Sequence, residues 1–203
     1  MVDRGSVEIV MSTIALLSVP SQQPATIDQK DLERVLTRPL LIGQSGPALI
    51  ISSQRDQIEV VYAGNMLNVR DLSGESEFSE SKVPTVLDFF FRLSTPRLLS
   101  SYGVNFVISV PCSEPGQWIR DNILAAQISV KTQKTLLGGS AMLKIAADPK
   151  TWNIKLNPRE DNKISVDFNA SEDTQELPDL ARLRQEMREQ FESMLRFLTE
   201  LGL

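Results

Sequence analysis

The sequence predicts an α+β fold: a curved, mostly antiparallel sheet backed by helices, with one long C-terminal helix. Three observations carry this. The segments WNIKLN (152–157) and KISVDFN (163–169) alternate apolar and polar residues, as strands that are wet on one face do. Leu180, Leu183, Met187, Phe191, Met194, Leu198 and Leu201 recur at spacings of three and four, which gives a helix a single apolar stripe. The motif SVPxxxP occurs as SVPSQQP (18–24) and as SVPCSEP (109–115), each time after an apolar, β-branched run. A proline ends a strand because it cannot donate to the ladder, and a second one directs the chain into a helix.

The elements follow in order. Residues 7–19 predict a strand stopped at Pro20. Asp28 can cap a short helix running through Leu36, with Leu32, Val35 and Leu36 on one face. Residues 43–47 (GQSGP) read as a loop. Strands are expected over 48–53, 57–63 and 66–72, joined by Gln54-Arg55-Asp56 and by Gly64-Asn65. Residues 73–82 are polar and rich in Ser and Glu, a loop, and Pro84 suits the first turn of a helix through Leu93. A strand over 102–110 then ends at Pro111. A helix over 117–126 presents Trp118, Ile119 and Ile123, and a strand over 136–147 is interrupted near Gly138-Gly139. The two alternating segments pair around PREDN (158–162). Trp152, Ile154, Leu156, Ile164, Val166 and Phe168 share the apolar face. Pro178 opens the last helix, to about Leu201.

Each half therefore reads strand, SVPxxxP, helix, three strands, helix. The two motifs lie 91 residues apart, and Val83-Pro84 and Leu177-Pro178 lie 94 apart. We expect a single compact domain over 1–203 built as two duplicated β-α-β-β-β-α units, 7–94 and 102–201. This order resembles, by topology alone, duplicated folds such as that of the TATA-binding protein. The resemblance implies a curved antiparallel sheet backed by helices and carries no function with it.

Several chemistries are disfavoured. The chain has 21 Lys and Arg against 26 Asp and Glu, a net charge of −5, so it lacks the cationic footprint of a nucleic-acid binder. Residues 131–163 are locally basic, with seven Lys and Arg against three Asp and Glu: a solvated face, or a surface for an anion or acidic partner. There is no histidine and one cysteine, Cys112. That removes histidine-activated nucleophiles, the usual zinc sets and any intrachain disulfide, and points to a reducing, cytoplasmic setting. The apolar run IVMSTIALLSV (9–19) is shorter than the roughly 20 residues of a membrane span, and Asp3 and Glu8 stand beside it. GQSG (43–46) misses the hydrolase elbow, and Gly138-Gly139-Ser140 misses the phosphate-loop spacing. Asp148, Glu160, Asp161 and Asp167 match no calcium loop. The expectation is no catalytic residue, no cofactor and no metal.

The leading functional expectation is a non-enzymatic, cytoplasmic protein-binding protein (adaptor, chaperone-like or regulatory) acting as a homodimer. Three consecutive aromatics, Phe89-Phe90-Phe91, cover more of a helix than one sheet contact hides. Leu195 and Phe197 broaden the C-terminal stripe where the sheet should run out. Phe89, Leu195, Phe197, Leu198 and Leu201 are thus the candidate partner-binding residues. The alternative is a small-molecule binder using a concavity lined by Trp152, Ile154 and Phe168; a third reading is an enzyme using carboxylate or lysine chemistry.

Overall fold

The computed structural model describes residues 4–19, 27–93, 98–124 and 139–203. Nine strands form one sheet: β1 (Glu8–Val19), β2 (Leu40–Ser45), β3 (Ala48–Ser53), β4 (Ile58–Ala63), β5 (Met66–Asp71), β6 (Leu98–Pro111), β7 (Ala141–Ala147), β8 (Lys150–Arg159) and β9 (Lys163–Asp173). Their order is β2-β3-β4-β5-β1-β6-β9-β8-β7, and every neighbouring pair is antiparallel. The helices among the described residues are α1 (Gln29–Leu32), α2 (Val83–Leu93), α3 (Pro115–Ile119), which runs on into a π-helical turn over Arg120–Leu124, and α4 (Leu180–Glu200). None of these is long and apolar enough to cross a membrane.

Register explains why the sheet has a dry face and a wet one. One cross-strand row runs Ile42–Ile51–Val60–Val69–Ile14–Val104–Ala170–Trp152–Ile145, apolar from edge to edge. The adjacent row, pointing the other way, runs Leu41–Ser52–Glu59–Arg70–Thr13–Asn105–Asn169–Asn153–Lys144. Because successive strand residues alternate faces, a one-residue slip anywhere would bring asparagines and charges into the core. Helices α2 and α4 cover the apolar face. Val83, Val86, Leu87 and Phe90 are buried from α2, and Leu183, Met187, Phe191, Met194 and Leu198 from α4. Arg184 ties α4 to α2 by donating to the Thr85 hydroxyl at 3.0 Å. At the centre, Phe78, Phe106 and Phe191 meet with ring centroids 5.3–5.4 Å apart. Each such ring contributes roughly 1.5–3 kcal/mol by burial.

The β8–β9 hairpin has the expected faces. Ile154, Leu156, Ile164, Val166 and Phe168 are buried and Trp152 is half-buried, whereas Asn153, Lys155 and Asp167 are exposed. The second SVPxxxP does as expected. Pro111 is the last residue of β6, paired with Lys163, and Pro115 opens α3. Pro20 and Pro24 of the first lie outside the described residues, as do residues 125–138, which include the end of the expected 117–126 helix and the start of the expected 136–147 strand.

Other boundaries differ. The stretch expected to be a loop from Gly43 contains the second half of β2, so four strands rather than the expected three lie between α1 and α2. The turn is only Gly46-Pro47, and Gly46 takes φ +58, as the first central position of a type II′ turn requires. Gly43 lies in the strand, with nothing within 4 Å of where its side chain would be. Asp28 does cap α1, accepting from the Lys30 N–H at 2.9 Å, but the helix lasts one turn and continues as turns to Leu36. The N-cap of α4 is Asp179, which accepts from the Arg182 N–H at 2.8 Å, so Pro178 precedes the helix.

The strand order has a centre. From the β1–β6 pair outward, one side runs β1-β5-β4-β3-β2 and the other β6-β9-β8-β7. In both halves the first strand pairs with the strand that precedes the closing helix.

Candidate functional site

The most fully built polar site lies where the wet and dry chemistries cross. Tyr102 of β6 stands opposite Glu172 of β9, and Lys150 of β8 is one step beyond the Thr151–Ser171 pair, so the three share a cross-strand row on the helix face. Glu186 of α4 closes over them. Lys150 donates from Nζ to Glu172 Oε2 at 3.0 Å, to Glu186 Oε2 at 3.1 Å and to the Tyr102 hydroxyl at 3.1 Å. The ammonium also lies 4.6 Å from the centroid of the Tyr102 ring. Tyr102 donates to Glu186 Oε2 at 2.6 Å, and Arg182 reaches Glu186 Oε1 at 3.1 Å. Lys150 is 6% exposed and Glu186 3%. Burial, and then the Glu186 carboxylate beside it, push the Tyr102 phenol well above its ordinary range, so it stays protonated.

An ammonium has three N–H donors, and all three of Lys150's are occupied. The ammonium has no lone pair to offer a substrate, and the Tyr102 proton is already given to Glu186. The arrangement therefore positions α4 on the sheet. Removing one member of such a buried ionic group leaves an unpaired charge, which costs about 3–5 kcal/mol.

A second polar cluster centres on Asp56, in the β3–β4 turn. Its carboxylate accepts from the Thr37 N–H at 2.5 Å, the Thr37 hydroxyl at 2.8 Å, the Ser53 hydroxyl at 3.0 Å and Lys82 Nζ at 2.7 Å. Burial opposes its charge, but these donors outweigh burial and hold its pKa at about 2.

The wet face carries a ladder of amides. Asn153 donates to Asn169 at 3.3 Å, and Asn169 donates to Asn105. Beside it Met142, Asn153, Lys155, Asp167 and Asn169 line a shallow cleft of about 200 Å³. Lys155 and Asp167 stand directly opposite each other there.

The two outermost strands of the sheet, neither of which has a second neighbour among the described residues, differ. On β2, Leu41 is 56% exposed on the wet face and Ile42 54% on the helix face. The helix layer does not extend over this strand, whose sequence LLIGQS has no charge. On β7, Met142 is 76% exposed, but Lys144 sits two residues on. A charged residue in an edge strand deters pairing with another chain.

The expected partner-binding residues are largely engaged within the chain. Leu198 is fully buried. Phe197 packs edge-on against Trp152 with centroids 6.2 Å apart, and Phe89 edge-on against the buried Phe90 at 5.4 Å. Leu195 is half-buried against the core, and Leu201 is half-buried at the end of α4. The face expected to form a concavity is packed: Trp152 donates to Gln190 of α4 at 3.2 Å and meets Phe168 edge-on, Phe168 lies beside its cross-strand partner Phe106, and Phe106 meets Phe191 of α4. Among the described residues, no group of three or more acid, histidine or cysteine side chains is placed to share a metal ion.

Polarity alone does not single out Glu186, Lys150, Tyr102 or Glu172 in the sequence. A signal existed. Lys150 is in phase with Trp152, Ile154 and Leu156. Glu172 is in phase with Phe168 and Ala170, and Tyr102 with Val104 and Phe106. Glu186 lies three residues after Leu183, beside the apolar stripe. Charges in phase with an apolar face are either errors of register or members of one buried network. The sequence matches no protein-family model, and no curated protein matches it significantly.

Proposed function

We propose that this chain acts by binding protein rather than by catalysing a reaction, and that it does so as a cytoplasmic homodimer. The observation that carries the reading is β2: an uncharged strand at the edge of the sheet, paired with β3 on one side and with no second neighbour among the described residues, that presents large aliphatic side chains on both faces. Exposed apolar edges of that kind are what monomeric proteins avoid and interfaces use. The buried ionic cluster at Lys150, with every lysine donor occupied, supports the non-catalytic half of the reading. Sedimentation equilibrium at micromolar protein tests it. A species of twice the 22.6 kDa chain mass is expected; a 22.6 kDa species throughout would refute it. We also infer that residues 7–94 and 102–201 descend from one duplicated unit. The strand orders on either side of β1–β6 support this, apart from β2, a fifth strand in the first half that the second half lacks among the described residues. A circular permutant that places 102–201 ahead of 7–94 should then fold cooperatively, and an unfolded permutant would count against it.

A further inference from the structure

We propose that the homodimer is formed by antiparallel pairing of β2 with β2 of a second copy, on a two-fold axis at Ile42, joining two nine-stranded sheets into one. The inference rests on the homodimer reading and names its contact surface.

The hydrogen-bond alternation of the hairpin sets the register. In a two-residue hairpin the residues flanking the turn exchange both N–H···O bonds, so Ser45 and Ala48 form such a pair. Every second residue back along β2 does the same, which turns Gly43 and Leu41 toward Ile50 and Ser52 of β3. Leu40, Ile42 and Gln44 therefore direct their N–H and C=O groups to the open edge. Two such edges running antiparallel satisfy all of these groups in only one way. Ile42 pairs with Ile42 of the second copy, and Leu40 with Gln44 of the second copy, twice over. About six N–H···O bonds result.

The side chains fit the same register. Between the hydrogen-bonded pairs, Leu41 falls opposite Gly43 of the second copy. That is the closer kind of cross-strand pair, about 4.5 Å between Cα atoms. Nothing lies within 4 Å of the missing Gly43 side chain, so each Leu41 has room to lie across the other copy's glycine. The two Ile42 side chains meet on the opposite face. A two-fold contact requires a surface complementary to itself. A strand with no charge, a leucine two residues before a glycine and an isoleucine between them meets that requirement, where β7, with Lys144 exposed, does not.

Two substitutions separate this interface from the fold. Ile42→Pro removes an outward N–H and no bond to β3; proline is tolerated on an edge strand for that reason. Gly43→Val adds a side chain to empty space in a single chain and fills the place of Leu41 from the second copy. The test is sedimentation equilibrium of the full chain and both variants, with far-UV circular dichroism and melting to confirm folding. Expected is a wild-type dimer whose dissociation constant rises at least tenfold in each folded variant. A wild-type monomer would sink the homodimer reading itself. A wild-type dimer with an unchanged dissociation constant in both variants would leave that reading standing and overturn the β2 interface.

Discussion

The Lys150 and Asp56 clusters solve the same problem with opposite signs. Each ties a helix to the sheet with a charged group that would be costly to bury alone. Around Lys150 the enclosed charge is a cation, and two carboxylates and a phenol surround it, from β6, β9 and α4. Around Asp56 the enclosed charge is a carboxylate, and the donors come from a turn, the segment leaving α1 and Lys82 just before α2. The two enclosed groups are equally buried, each side chain 6% exposed, but Lys150 has two charged partners, one of them the buried Glu186. Around Asp56, Lys82 is half-exposed and the remaining donors are neutral. The difference teaches that the burial and charge of the partners, more than the number of contacts, decide how much a cluster matters. A buried charge stripped of its partner cannot be rescued by water.

That contrast can be broken most forcefully at Lys150. Lys150→Met should destabilise by about 3–5 kcal/mol in denaturant unfolding. Adding Glu186→Leu should recover part of the loss, since the double variant no longer buries a Glu186 carboxylate left with only Arg182 and Tyr102 as partners. A double variant worse than the single would contradict this account. Asp56→Asn should cost less, about 2 kcal/mol, because the amide keeps an acceptor for the Thr37 and Ser53 donors but loses the charge-assisted bond to Lys82. Acid tests the same group without mutation. Its folded pKa of about 2 lies below the ordinary 3.8, so its contribution is complete above about pH 4 and disappears as pH falls from there toward 2. The loss should be about 2 kcal/mol, and Asp56→Asn should flatten that part of the pH profile. Tyr102→Phe removes one acceptor from Lys150 and one donor to Glu186, and should cost about 1–2 kcal/mol in urea unfolding. Lys82→Met, at the wet end of the Asp56 cluster, should cost under about 1 kcal/mol by the same measurement.

Much of this architecture is legible in the sequence, for a physical reason. The β8–β9 hairpin and α4 announce themselves because one face of each is apolar and the other wet, so period and burial coincide. β2 did not, because on an exposed edge neither face must be apolar, and Gly43 could sit in the strand as easily as in a loop. The Lys150 cluster was missed for a related reason. Its residues are in phase with the core, but polarity patterns assign charges to solvent. Only the register, which brings Tyr102, Glu172 and Lys150 side by side, shows that they satisfy one another.

The pairing of β1 with β6 at the middle of the sheet bears on how the chain emerges from the ribosome. Glu8 meets Ser109 and Leu17 meets Ser101, partners roughly 85–100 residues apart, so the central ladder closes a long loop and forms late. Once residues up to α2 have been made, β1 can pair with β5, but its other edge has no partner. At about 5–20 residues per second, that edge waits seconds for β6, and the apolar face beneath α4 waits longer still. During that interval the nascent chain presents a bare strand edge to its neighbours on the same message. Slowing translation between residues 93 and 111 should raise aggregation, and speeding it should lower it, with the finished fold unchanged.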